Sequence, residues 1–291
     1  MTGHIGLNEY GRLRRVALRH AREAFGGPEV IAASWRGLNY LAAPDFGRAL
    51  AEYDRFAEIL RESGAEIDYL PGAEGLTLDS LYVHDAALPG PNGIVLCNMG
   101  KPARGQEPAA MGRAFAALGL PVAGRIEGAG RLEGGDLVWF DEATCTVARG
   151  YRTNDAGIVQ LKALLGPGVE VVTVPLPHYR GPQDVFHLMS IISPLDADLA
   201  LVHAPLMPVV FREWLLARGI ELVEVADEEF ETLGCNALAL GPRRCLMAEG
   251  NPQTRARLEA LGCEVVTYDG TEISVKGAGG PTCLTRPLVR G

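Results

Sequence analysis

Residues 49–70, ALAEYDRFAEILRESGAEIDYL, hold the pattern that decides the fold. Leu50, Tyr53, Phe56, Ala57 and Leu60 recur at helical spacing and share one face, so the first part reads as an amphipathic helix. Gly64 then supplies a left-handed position, where a helix ends without a Cβ penalty. EIDYL continues as a short strand. The same order of helical run, glycine and strand returns at Gly119 before LPVAG, Gly166 before VEVVTV, Gly219 before IELVEV and Gly262 before CEVVTY. Spacings of 55, 47, 53 and 43 residues mark repeated modules.

Working outward, two further apolar runs precede each later helix. LYVHDAAL with GIVLCNM, DLVWF with CTVAR, FHLMSII with LALVH, and NALAL with CLMAE each read as a strand pair. A module is therefore strand–strand–helix–strand. The C-terminal run TCLTRPLV would pair with the N-terminal RRVALRH and close the set, leaving no free sheet edge. No linker or low-complexity stretch interrupts the 291 residues, so the expectation is one domain over 1–291. Residues 26–44 read as a long irregular segment, either a packed surface loop or a lid with Trp35 and Tyr40 as shielding side chains.

Hydrophobic residues make up 47 % and charged residues 22 %, which excludes a disordered chain. A net charge of −9 argues against sequence-independent nucleic-acid binding, which runs on an excess of Lys and Arg. Residues 1–25 lack the apolar run of a signal peptide. The most apolar stretch, 199–211, is too short to span a bilayer and contains His203 and two prolines. Six cysteines without a CxxC pair suggest neither a disulfide framework nor a zinc site. The expectation is a cytoplasmic protein with reduced thiols and no membrane association.

The first strand of each module carries or starts with one polar residue at a matching place: Asp85, Glu133, His187, Asn236 and Cys283, spaced by 48, 54, 49 and 47 residues. Around a pseudo-fivefold axis these would converge on one cavity. A thiol, an imidazole and two carboxylates are the minimum for nucleophilic catalysis with a general acid and base. Cys283 lies in GAGGPTCLT, where glycines let backbone approach a ligand. Cys97, Cys145, Cys245 and Cys263 lie in apolar strands and read as core.

The segments DSLYVHD (79–85), KPARGQE (101–107), LEGGD (132–136), YRTN (151–154), FHLMS (186–190) and GGPTC (279–283) together resemble the guanidino-modifying enzymes. That superfamily of five-bladed α/β-propellers, the pentein fold, includes dimethylargininases, arginine deiminases and amidinotransferases. The pattern is most similar to dimethylarginine dimethylaminohydrolases. The resemblance implies Cys283 as nucleophile, His187 as general acid and base, and Glu133 as the catalytic carboxylate that orients His187. It implies that Glu133 and Asp85 bind the guanidinium, that Asp79 takes the α-amino group, and that Arg104 and Arg152 hold the carboxylate. Asn236 and Asp136 are further candidates for the cavity.

The implied substrate is a small guanidino amino acid, with N-methylated arginine giving citrulline and a methylamine, and with no metal or organic cofactor. Met189 stands where deiminases commonly carry an Asp, which favours an alkylated guanidine. Ala278, five residues before the nucleophile, stands where a polar substrate contact is common, which cuts the other way. Arginine deiminase or dihydrolase, an amidinotransferase, and a non-catalytic propeller are the alternatives. Pairing into a homodimer stays open.

Overall fold

The computed structural model describes residues 6–184 and 186–291; the first five residues of the stretch searched for a signal peptide lie outside the described residues. The chain opens with strand β1 (Leu13–Leu18), short helices α1 (Ala21–Phe25) and α2 (Pro28–Ser34), helix α3 (Phe46–Glu62) and strand β2 (Glu66–Tyr69). Asp45 caps α3 by accepting from the Arg48 amide at 2.8 Å. Tyr53, Phe56, Ala57 and Leu60 are fully buried, as the periodicity requires, and Leu50 is half-buried beside them.

Four complete modules follow. The first holds β3 (Ala87–Gly90), β4 (Gly93–Leu96), α4 (Glu107–Ala117) and β5 (Val122–Arg125). The next holds β6 (Leu137–Asp141), β7 (Thr144–Arg149), α5 (Asp155–Leu165) and β8 (Glu170–Pro175). Then come β9 (Ile192–Asp196), β10 (Leu199–Val202), α6 (Val209–Ala217) and β11 (Glu221–Glu224). The last comprises β12 (Leu238–Gly241), β13 (Arg244–Ala248), α7 (Pro252–Ala260) and β14 (Glu264–Tyr268), before the final strand β15 (Arg286–Arg290).

In every module the first two strands are antiparallel and the third returns parallel to the second. That return needs a crossover, which the helix provides. Gly64, Gly119, Gly166, Gly219 and Gly262 all take positive φ, between 71° and 93°, where the helices give way to these third strands. Strand β15 runs antiparallel to β1, and β1 parallel to β2, so both ends of the chain build one blade. The result is the five-bladed α/β-propeller of the pentein fold.

Three expectations need correction. The polar residues of the repeat precede the inner strands instead of starting them: β3, β6, β9, β12 and β15 begin at Ala87, Leu137, Ile192, Leu238 and Arg286. Short 3-10 turns at Gly134–Asp136 and Leu188–Ser190 fill the difference after Glu133 and His187. A turn frees its side chains from the alternation of a ladder, so they can face the axis together.

Sheet edges also remain. The five sheets are separate and three-stranded, with no strand shared between blades among the described residues. Finally, 26–44 is not wholly irregular. Pro28 opens the helix α2, as proline suits a first turn. Among the described residues, no helix is long and apolar enough to cross a membrane.

Candidate active site

A cavity of about 200 Å³ opens at the propeller axis. Four of the five repeat residues line it: Asp85, His187, Asn236 and Cys283. The fifth, Glu133, is fully buried beside the wall, where Gly135 takes the lining position.

Glu133 is saturated by its own neighbours. Its Oε1 accepts from the amides of Gly100 at 2.8 Å and Lys101 at 3.1 Å. Its Oε2 meets His187 Nε2 at 2.7 Å and Arg152 Nη1 at 3.4 Å. Burial opposes its charge, but His187 and Arg152 still hold its carboxyl below the ordinary range. The expected contact of Glu133 with a guanidinium is therefore corrected: both oxygens are taken, and the geometry leaves it the task of orienting His187.

His187 is held between carboxylates, with Nδ1 3.8 Å from Asp85 Oδ1. Burial works against its charge, yet Asp85, Asp136 and Glu133 outweigh it and raise the imidazole to about 9. Asp85 Oδ2 accepts from Arg104 Nη1 at 2.5 Å and Oδ1 from the Gly135 amide at 3.1 Å. Despite burial, His187 and Arg104 keep the Asp85 carboxyl far below its usual range. A Cβ on Gly135 would stand 2.6 Å from His187 Nδ1 and 2.9 Å from Asp85 Oδ1, so only glycine permits this approach.

Cys283 alone among the six free thiols is partly exposed, and it lines the cavity. Burial first, and Asp85 second, push its thiol up to about 11, against hydrogen bonds from Thr282 and Asn236. Asn236 Nδ2 lies 3.5 Å from the sulfur, and its Oδ1 accepts from the Thr282 amide and hydroxyl. The amide thus fixes the loop that carries the thiol. Asp136 sits behind this layer, accepting from the Thr153 hydroxyl at 2.6 Å and the Leu188 amide at 3.1 Å. Burial raises its carboxyl to about 6. Met189 and Ala278 both line the cavity, Ala278 in the left-handed region at φ 57°.

The two expected anchors at the other end differ. Arg152 lines the cavity, donating also to the Asp184 carbonyl at 3.1 Å. Arg104 is committed elsewhere: besides Asp85, it donates to both oxygens of Glu107 at 2.8 Å and to the Tyr82 carbonyl at 2.7 Å. It lines the cavity all the same, with four of its five N–H donors spent and one left for the expected grip on a substrate carboxylate. Asp79 is likewise engaged, 2.6 Å from Lys101 Nζ.

Among the lining residues that sequence reasoning misses are Lys101 and His84. Lys101 stands in KPARGQE, three positions before Arg104. His84 precedes Asp85; its Nδ1–H donates to the Thr285 carbonyl at 2.9 Å, and its buried Nε2 has no protein partner among the described residues. Burial, then the charge of Arg286, hold that imidazole neutral, down at about 3. From 26–44, Leu38, Asn39 and Leu41 line the cavity. Tyr40 is buried and Trp35 packs on the α3 core, which for these two side chains fits the packed-loop alternative.

Ligand atoms of Asp85, Glu133 and His187 come within 4.8 Å of one another, a spacing that a divalent ion could bridge. Their partners suit a proton better: Glu133 already accepts from two amides and Arg152, and the imidazole Nε2 faces Glu133.

A model of the family "N,N dimethylarginine dimethylhydrolase, eukaryotic" matches residues 42–290. An N(G),N(G)-dimethylarginine dimethylaminohydrolase of Streptomyces coelicolor is 34 % identical over 244 residues, covering 83 % of this chain and 86 % of that protein. An arginine deiminase of Mycobacterium marinum is 29 % identical over 192 residues, 55 % of this chain and 46 % of that one.

Among solved structures, a dimethylarginine dimethylaminohydrolase from Pseudomonas aeruginosa complexed with citrulline superposes with a TM-score of 0.75. The identity is 21 %, with 96 % of this chain and 100 % of that one covered. The N-terminal domain of ArgZ, a cyanobacterial arginine dihydrolase, gives a TM-score of 0.80 at 18 % identity, covering 95 % and 97 % of the two chains. At these identities the structures share the fold.

Proposed function

Because the chain belongs to the N,N dimethylarginine dimethylhydrolase family, we propose that it hydrolyses the guanidino C–N bond of an N-methylated arginine through a covalent bond to Cys283. The observation that carries this is the cavity wall itself, where a thiol, an imidazole paired to a carboxylate and a second carboxylate face one space.

The guanidinium docks against Asp85, whose charge retains the cation and keeps its carbon electrophilic. Beside the bound cation Cys283 releases its proton to solvent, and the thiolate attacks the guanidinium carbon, forming a C–S bond. The departing dimethylamine takes a proton from His187 as its C–N bond breaks. His187, now neutral, accepts a proton from water, which adds to the thiouronium carbon. Loss of the sulfur leaves citrulline and returns the thiol. Glu133 holds the imidazole in register throughout. Met189 supports an alkylated nitrogen, since an unsubstituted NH₂ against a thioether would lose a hydrogen bond worth about 1–3 kcal/mol.

The test offers the purified protein dimethylarginine, monomethylarginine and arginine, reading citrulline, dimethylamine and ammonia. Citrulline with dimethylamine is expected, with a mass adduct trapped on Cys283. Ammonia from arginine outpacing dimethylamine release would make it a deiminase or dihydrolase. Turnover surviving Cys283→Ser would refute the mechanism.

A further inference from the structure

Four cations line the cavity, Lys101, Arg104, Arg152 and Arg180. The proposed substrate brings a carboxylate that must meet at least one of them. Arg104 has only one of its five N–H donors left after Asp85, Glu107 and Tyr82. Arg180 lies at the mouth, 55 % exposed, with Nη2 on Glu231 at 2.6 Å. Lys101 and Arg152 remain, and they are neighbours in space. One carboxylate, Glu133, receives the Lys101 amide on Oε1 and the Arg152 guanidinium on Oε2. Gly100 packs so closely on Arg152 that a Cβ there would stand 2.9 Å from its Cα and carbonyl oxygen.

The Lys101 ammonium is also held in place. Nζ lies 2.6 Å from Asp79 Oδ2 and donates to the Leu38 carbonyl at 2.8 Å. One of its three N–H groups is spent on the Leu38 carbonyl, the Asp79 contact being an ion pair in which Oδ2 takes no hydrogen bond, so two are left over among the described residues. Only 14 % of the side chain is exposed, so swinging away would break a nearly buried ion pair. An ammonium fixed on the wall by a carboxylate and a carbonyl, with two donors left over against one on Arg104, is an anchor for an anion.

We infer that Lys101, with Arg152, holds the substrate carboxylate in place of Arg104, and that Asp79 positions Lys101. This rests on the hydrolase assignment above and names its head-group requirement. The carboxylate is the selected feature. A guanidine of the same length with the carboxylate removed leaves the ammonium facing no anion.

Calorimetry on Cys283→Ser protein measures binding without turnover, using dimethylarginine and its decarboxylated counterpart as probes. Adding Lys101→Met is expected to weaken dimethylarginine binding by about ten- to a hundredfold, the scale of a lost charge-assisted hydrogen bond. Lys101→Arg should restore most of it. The decarboxylated probe should bind tighter once Lys101 is gone, because Asp79 is released to its amine. Equal affinity for dimethylarginine with and without Lys101, or no binding in either, overturns the anchor. The hydrolase assignment is read separately. A haloacetamidine, which carries no carboxylate, should alkylate Cys283 of the unaltered protein by losing halide to the thiolate. Failure of that labelling counts against the nucleophile and leaves the calorimetric result standing on its own.

Discussion

Cys283 should be a protonated thiol in the protein alone and become a thiolate only beside a bound cation. Its thiol is pushed up to about 11 by burial and by Asp85. At pH 7.5 the thiolate fraction is then about 3 in 10,000, from the difference between pH and pKa. A guanidinium at an attack distance of about 3.5 Å contributes about 4–5 kcal/mol at an effective dielectric of about 20. That equals about three pKa units and moves ionisation to about 8. The thiolate fraction rises roughly a thousandfold, to about a quarter.

Two alkylating agents separate the states. A neutral haloacetamide should inactivate the protein with a rate that keeps climbing to pH 10 and beyond. A cationic haloacetamidine supplies its own charge and should level off near pH 8. A haloacetamide profile that breaks at or below pH 8 would mean a preformed thiolate, paired with the His187 imidazolium, and would refute the reasoning.

Replacing Gly135 by Ala drives a Cβ to within 2.6 Å of His187 Nδ1; kcat should fall about a hundredfold with the imidazole displaced, and a wild-type kcat would refute the placement. Glu133→Gln removes one of the charges that raise His187 to about 9. Since the imidazolium is the acid, activity is lost as pH rises through its pKa, and this variant should lose it about one to two units earlier on a kcat–pH profile. Prolonged dialysis against a chelator should leave turnover unchanged, because every proposed step uses protein groups; loss of activity restored by a divalent ion would assign the Asp85, Glu133 and His187 cluster to a metal instead.

Much of the fold was legible because its signals are local. Tyr53, Phe56, Ala57 and Leu60 announce a helix face within a dozen residues, and Gly64 its end. Five repetitions then made the axis a matter of counting, and counting found the residues around it. Who pairs with whom was not legible. Arg104 reaches 19 positions back to Asp85, and His187 reaches 54 back to Glu133. Periodicity has no term for such a pairing. A motif identifies an arginine, but its availability depends on whether a carboxylate such as Glu107, three residues along, has already taken it.

Burial is the physical reason this matters. In the axial layer an unpaired charge is costly, so Asp85, Arg104, Glu133 and Arg152 are paired before any ligand arrives. A ligand can recruit only groups with donors or acceptors left over. Counting leftovers on Arg104, Arg152 and Lys101 therefore says more about substrate recognition than residue type does, and it moves the carboxylate contact from the motif's arginine to the lysine three positions before it.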